Sequence, residues 1–173
     1  DHARATAELL AEMVREDDEH AAKPHKAVEE MSMSEHVGEL IFQLRDQNGH
    51  QYMQPGYCDI FCDPRDAWWE RPRTGNSPAR QLVDLNYDAI PQLIEAIDDR
   101  RFTRCVEFHR DFYFSHHVLS VGHCAVAIIE EIAGCEFFER KYNNPVAGPN
   151  TKQRVEEWWA DFQRKGERQT LME

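Results

Sequence analysis

The feature that most constrains this chain is a series of segments in which apolar residues recur every three or four positions. That spacing places them on one face of an α-helix, and the face must be buried against another element. The pattern predicts helices over about 3–16, 34–47, 77–85, 88–99, 118–133 and 151–165. The predicted fold class is therefore all-α.

Short polar residues and glycines mark where these helices should begin and end. Four residues are expected to be N-caps, because their side chains accept hydrogen bonds from the first helical turn: Ser34, Ser77, Asp88 and Thr151. Pro78, after Ser77, suits the first helical position. Gly134 and Gly166 are expected to end helices, and the acidic run 16–19 to end the first one.

Two segments interrupt the helical pattern. From about 49 to 76 the chain is punctuated by proline and glycine, which predicts a long irregular loop whose aromatic residues fold back on the helices. From about 100 to 117 it is dense in aromatic, β-branched and histidine residues. This second segment is expected to form an aromatic and His-rich insertion, either extended or irregularly helical.

The length of 173 residues suits one domain. We expect 1–33 to form an acidic N-terminal helix with a linker, and 34–173 to form the packed core. The first residue is Asp1 rather than Met, which is typical of a processed or trimmed chain. A fragment excised from a longer protein fits the same observation.

Charge excludes some classes of partner. Lys and Arg number 20 against 32 Asp and Glu, a net charge of −12 that repels nucleic acid and anionic bilayers. The best apolar run, 124–129, is far too short to span a membrane. We therefore expect a soluble chain, cytoplasmic or exported after processing, whose protein or peptide partner is basic, since opposite charge speeds association.

Two segments resemble a known repeat. The stretch 88–99, DAIPQLIEAIDD, resembles the first helix of a HEAT-like (armadillo-type) repeat, and 121–134, VGHCAVAIIEEIAG, resembles its second helix. The resemblance implies antiparallel helix pairs, here with roughly twenty inserted residues where the family has a short turn. The block 44–159 is also similar to a little-characterised bacterial family with HEAT-like helices, which supplies no catalytic residues.

The long loop carries a candidate partner-binding cluster. Two adjacent tryptophans stand among three arginines: Trp68, Trp69, Arg65, Arg71 and Arg73. Aromatic and arginine side chains are enriched at binding hot spots, because they bury large areas at low entropic cost. The alternative is that one tryptophan anchors the loop to the core while the arginines offset the acidic surface.

The insertion carries a candidate metal site. Its ligand-type side chains are Cys105, His109, His116, His117 and His123, and imidazole and thiolate are usual ligands of zinc and similar metals. The site would hold a divalent metal for a structural or hydrolytic role. The alternative, which the absence of a standard ligand spacing favours, is histidines that hydrogen-bond and cap helix ends.

The five cysteines are too few for a disulfide scaffold. Cys124 and Cys135 flank an apolar helix and are expected to be buried. The segment 58–63, CDIFCD, fits a metal site, a small disulfide ring or a hydrogen-bonded turn, and the turn is favoured by Asp63 before Pro64.

Enzyme signatures are missing from the sequence. There is no GxSxG elbow, P-loop or dinucleotide-binding glycine pattern. Neighbours such as Ser115-His116 and His123-Cys124 point about 100° apart on a helix and rarely bond each other. The sequence thus favours a non-enzymatic interaction or scaffold module, with no required cofactor, and a metal-binding domain built on 105–124 is the alternative.

Overall fold

Helices dominate the fold. The structure, a computed structural model, describes residues 2–24, 26–47, 50–52, 57–61, 76–108, 116–141, 144–146 and 148–166. These residues form the α-helices α1 (His2–Ala21), α2 (Met33–Gln43), α3 (Pro78–Asp84), α4 (Ile90–Ala96), α5 (Val121–Ala133) and α6 (Thr151–Lys165). Short 3-10 turns cover Val28–Glu30 and Asn86–Asp88.

Within the described residues, three antiparallel strand pairs accompany the helices. The strands are β1 (His50–Tyr52), β2 (Tyr57–Asp59), β3 (Phe102–Phe108), β4 (His116–Ser120), β5 (Glu139–Lys141) and β6 (Asn144–Val146). Each strand pairs with the next in the chain, as β1–β2, β3–β4 and β5–β6. The all-α prediction is therefore right for the dominant helices and wrong for these hairpins, and β1–β2 lies inside the segment predicted as an irregular loop.

The described part of the aromatic and His-rich insertion lies in the paired strands β3 and β4. Its side chains alternate, with Thr103 and Cys105 buried on either side of exposed Arg104, which is the pattern of a half-buried strand. The described part of this segment is therefore extended rather than irregularly helical, and residues 109–115 lie outside the described residues. Helix α5 starts at Val121 rather than near 118, because the preceding residues complete β4.

The acidic run 16–19 does not end the first helix, which continues to Ala21. The run is tolerated because Glu16 is half-buried and paired with Arg45 and Arg101 from the body of the protein. The acidic run predicts a solvated helix end, but its first residue, Glu16, instead helps to anchor α1 to the body of the protein.

Three of the four expected N-caps are displaced. Ser32, not Ser34, caps α2 in a capping box with Glu35, and Ala89, not Asp88, precedes α4. Asn150 precedes α6, and the Thr151 hydroxyl instead accepts a hydrogen bond from the Gly148 amide at 2.9 Å. The remaining expectations hold: Ser77 caps α3, and Gly134 and Gly166 end α5 and α6 with positive φ.

The core lies where α2, α3, α4 and α5 meet. Its largest fully buried side chains are aliphatic and include Val37, Leu44, Leu82, Ile90, Leu93, Ile128 and Ile129. Helix α6 closes one side through Val155, with Trp158 and Trp159 half-buried against the core as their spacing predicts. Helix α4 packs on both α5 and α6, and the β3–β4 hairpin extends from the α4–α5 junction.

Candidate functional site

Of the residues proposed as metal ligands, Cys105 lies on β3, His116 and His117 lie on β4, and His123 lies in the first turn of α5. Cys105 is buried, and its thiol donates to the Gln47 carbonyl at 3.2 Å. His117 lies opposite Glu107 in the hairpin, and its ring centre is 6.0 Å from that of His123. The structure therefore brings His117 and His123 near each other, and it places Cys105 in a hydrogen bond to Gln47 in the segment that follows α2.

His123 belongs to a helix cap. Ser120 Oγ accepts from the His123 amide at 3.2 Å and lies 2.7 Å from His123 Nδ1, which also faces the Ser120 amide at 3.4 Å. An Nδ1 that faces the Ser120 hydroxyl and amide acts as an acceptor, so the ring proton belongs on Nε2. This reciprocal arrangement is a capping box with histidine in the position usually held by Glu or Gln.

The metal hypothesis stays a prediction. His109 lies outside the described residues, and His116 is described only through its backbone pairing with Phe108. Among the residues that the structure describes, no three His, Cys, Asp or Glu side chains come together in a way that could hold a metal ion.

The proposed partner-binding cluster also stays a prediction. Trp68, Trp69, Arg65, Arg71 and Arg73 all lie outside the described residues. Of the segment 58–63, residues 58–61 are described. There the Asp59 carboxylate accepts from the Phe61 amide at 3.0 Å, which makes a hydrogen-bonded turn, and the Cys58 thiol is free.

Cysteines at the two ends of α5 differ in exposure. Cys124 is buried, as predicted, whereas Cys135 is exposed beyond the Gly134 cap. Burial of the thiol group itself and the nearby Glu130 carboxylate raise the pKa of Cys135, and Arg154 opposes them. The Cys135 thiol is therefore protonated at neutral pH.

A cleft of about 280 Å³ lies between α5 and the end of the β1–β2 hairpin. Its described lining is mainly apolar: Cys58, Asp59, Ile60, Phe61, Leu119, His123, Cys124, Ala127, Glu130 and Phe138. On the hairpin side of the cleft, Cys58 is linked to β3, because the Val106 amide donates to Cys58 Sγ at 3.3 Å. Cavities of this kind, apolar with a few polar groups, are typical of small-ligand sites.

Glu130 stands at the outer end of this cleft. Its Oε1 accepts from the amides of Phe137 and Phe138, the second at 2.7 Å, which fixes the chain after α5. A second cavity of about 460 Å³ continues past Glu130 and shares Phe61 and Ala127 with the first. Glu131 and Glu136 also line this outer part, so the combined groove is apolar inside and anionic outside.

Helix α1 presents a second candidate surface. Side chains at 9, 13, 16 and 20 are half-buried toward the body, whereas Ala3, Ala7, Leu10 and Val14 are exposed. Both sets follow a 4-3-4 spacing, so each forms a continuous stripe along the helix. We call the exposed set the α1 seam; its largest members, Leu10 and Val14, are 47% and 59% exposed.

Polar contacts anchor the C-terminal half of α1. Glu16 Oε2 accepts from Arg45 Nη1 at 3.3 Å and from Arg101 Nη1 at 2.8 Å. Arg45 is almost fully buried, stacks over Phe42 and also donates to the Met13 carbonyl at 2.9 Å. Its remaining nitrogen, Nε, is buried and has no hydrogen-bond partner among the described residues.

A further contact joins the end of α1 to α2. His20 Nε2 lies 2.7 Å from Glu39, and the His20 ring stacks on Phe42 with 4.0 Å between ring centres. By contrast, residues 3–8 at the start of α1 are all exposed. The helix is therefore held at one end and projects into solvent at the other.

Comparisons with known proteins found nothing similar to this chain. The chain matched no protein-family model, no curated protein and no solved structure. Within the described residues, no helix combines the length and the apolar character needed to cross a bilayer.

Neither of these two surfaces was among the sites predicted from the sequence. The spacing of apolar residues over 3–16 predicts the helix α1. It does not show which side of that helix faces the body of the protein and which side is exposed. The Cys58–Val106 contact, which holds β2 beside β3 and so positions one side of the cleft, joins residues 48 apart in the sequence. Local periodicity carries no information about such a contact.

Proposed function

We propose that this protein is a non-enzymatic interaction module that binds a basic amphipathic helix of a partner protein along the α1 seam. The observation that carries the proposal is the exposure of Leu10 and Val14 in line with Ala3 and Ala7. Helices dock on one another through apolar residues at this spacing, and small residues such as alanine allow a close approach.

The geometry of α1 supports this role. An isolated helix of about a dozen residues is marginal in water, because few hydrogen bonds offset the cost of ordering its backbone. The first half of α1 has almost no side chain buried against the body, apart from half-buried Leu9. A partner that covered the seam would supply the missing burial.

Charge supports a basic partner over a second copy of this chain. Helix α1 carries six acidic and two basic side chains, and the whole chain has a net charge of −12. The seam spacing leads next to Asp17, so a parallel pair of copies would bring two acidic runs together. Lysine and arginine beside a partner's apolar stripe would meet opposite charge.

The scaffold behind the seam is proposed to be HEAT-like. The two segments that resemble the repeat become α4 and α5, which pack on each other with aliphatic faces. The β3–β4 hairpin replaces the short turn of the family. In this account α4 and α5 form one modified repeat pair, and the other helices complete its core.

The experiment uses a synthetic peptide of about three heptads, with leucine at the seam spacing and lysine at flanking positions. A matched peptide carries glutamate in place of lysine. We expect the basic peptide to bind the full chain in fluorescence anisotropy, with affinity that falls as salt rises. The acidic peptide should bind far more weakly.

Variants locate the binding surface. Leu10→Ser with Val14→Ser should weaken binding about tenfold or more, through lost apolar burial. Met33→Ser is the matched control, because Met33 is 48% exposed but lies on α2. Equal loss in both variants, or equal binding of both peptides, would contradict the proposal.

Two further readouts separate the alternatives. Light scattering of wild type and the double variant tests self-association, and a dimer abolished by the substitutions would assign the seam to a second copy. Trp68→Ala with Trp69→Ala tests the long loop. Weaker peptide binding with unchanged helical circular dichroism would add that loop to the surface.

A further inference from the structure

The groove between α5 and the β1–β2 hairpin takes no part in the helix binding proposed for the α1 seam, and its lining residues could bind a small molecule. Its inner cavity of about 280 Å³ is formed mainly by Ile60, Phe61, Leu119, Ala127 and Phe138. This volume lies near the lower end of the range for small-molecule sites. The lining therefore suits a compact apolar or aromatic body.

The outer end of the groove favours positive charge. Among the described lining residues of both cavities there is no lysine or arginine, whereas Asp59, Glu130, Glu131 and Glu136 are present. The C-terminus of α5, which ends at Gly134, adds the negative end of a helix dipole. Among the described residues, Arg154 is a nearby cation, and it donates hydrogen bonds to the carbonyls of Phe137 and Glu136.

Glu130 is the group best placed to bind a cation. Both hydrogen bonds from the backbone reach Oε1, so the carboxylate is held at one oxygen. The described residues donate no hydrogen bond to its other oxygen, Oε2. Glu130 also lies where the two cavities meet. If the apolar body of a ligand occupied the inner cavity, its charged end would lie at this point.

We propose that this groove binds a small amphipathic cation: a primary amine with an aromatic or compact apolar body. The body occupies the inner cavity beside Phe61 and Phe138, and the ammonium group donates to Glu130. Such a hydrogen bond between two charged groups is stronger than a neutral one and shorter. Neutral and anionic molecules of the same shape lack this contact.

The test uses 2-phenylethylamine, with 2-phenylethanol and phenylacetate as neutral and anionic analogues, measured by protein-observed NMR titration. A ligand of this size is expected to bind in the millimolar range or tighter. We expect the order amine, then alcohol, then acid. Shifts should be confined to residues that line the groove.

Two variants make the result specific. Glu130→Gln keeps an oxygen for the two backbone amides but removes the charge, and it should weaken amine binding about tenfold while leaving the alcohol unchanged. Glu95→Gln, an exposed carboxylate on α4, is the matched control. Ala127→Leu, which fills the cavity, should weaken both ligands while the helical circular dichroism is retained.

Cys58 supplies an independent readout. Its thiol is free and half-buried in the cleft, whereas Cys105 and Cys124 are buried. Bound amine should slow alkylation of Cys58 by iodoacetamide, as followed by peptide mass spectrometry. Equal affinity for amine and alcohol, full amine affinity in Glu130→Gln, or shifts away from the groove would overturn the proposal.

Discussion

The backbone of Gly122 lies directly against the carbonyl oxygen of Ile97. A Cβ atom at position 122 would be 2.2 Å from that oxygen, and the Gly122 amide donates to the Asp99 carbonyl at 2.9 Å. The first turn of α5 thus sits on the end of α4 with no space for a side chain. The contact fixes the angle between the two helices and the point where the β3–β4 hairpin emerges.

Gly122→Ala should therefore destabilise the protein by about 2 kcal/mol or more, because the new methyl group forces two packed backbones apart. Gly38→Ala is the matched control, since Gly38 is exposed on α2 and its added Cβ would meet only Gln92, at 4.0 Å. That change should be neutral or stabilising by about 0.5 kcal/mol. Urea unfolding of both variants measures the difference; a tolerated Gly122→Ala would contradict the close packing.

The capping box at the start of α5 gives a second prediction. Ser120→Ala should lower the free energy of unfolding by about 1 kcal/mol, because the His123 amide loses its acceptor. Ser34→Ala is the comparison, since exposed Ser34 lies within α2 rather than at its cap and should cost less than about 0.5 kcal/mol. Thermal denaturation of the two variants checks this, and an equal loss in both would argue against the capping role.

These caps also show how far the sequence could predict the fold. The helical stripe of α6 was readable because Val155, Trp158 and Trp159 follow one period and face one core. The cap of α2 was placed two residues late, although Ser32 and Glu35 have the spacing of a capping box. Serine at either position is a plausible cap, and only the backbone geometry decides between them.

The strands were less predictable for a physical reason. Residues 102–108 contain aromatic and β-branched side chains that suit either a strand or an irregular helix. Their state depends on pairing with 116–120, which local periodicity does not encode. The candidate groove was missed for the same reason, since it depends on contacts between α5 and a hairpin some 60 residues earlier.

The anchoring of α1 yields a third prediction. Glu16→Gln removes the negative charge shared by Arg45 and Arg101, and leaves the buried Arg45 with weaker pairing. We expect a loss of about 1–3 kcal/mol, with faster amide exchange in the second half of α1. Glu12→Gln, exposed on the same helix, should have little effect, and similar exchange in both variants would show that Glu16 does not anchor α1.

Acidic conditions should weaken the start of α2. Hydrogen bonds from Lys26 and then from the Ser32 backbone and hydroxyl lower the pKa of Glu35 from 4.5 to about 2. Because the pKa is lower in the folded state, this contribution to stability is fully present above pH 4.5. It is lost as the pH falls toward 2.

Glu35→Gln tests this dependence. The amide retains part of the capping box but cannot ionise, so wild type should be more stable at pH 7 and the difference should shrink steadily between pH 4.5 and 2. Urea unfolding at a series of pH values measures the difference. A gap that does not change with pH would contradict the assigned role of the ionised carboxylate.

Hydrogen exchange of the α1 amides can show whether a basic helix docks along the exposed seam of α1. Without partner, amides in the first half of α1 should exchange quickly, because residues 3–8 are exposed and unsupported by the body. Saturating basic peptide should slow their exchange at least tenfold and leave α6 unchanged, while the acidic peptide should have no effect. Unchanged exchange in α1 when the basic peptide is bound would contradict the account, as would protection confined to another part of the molecule.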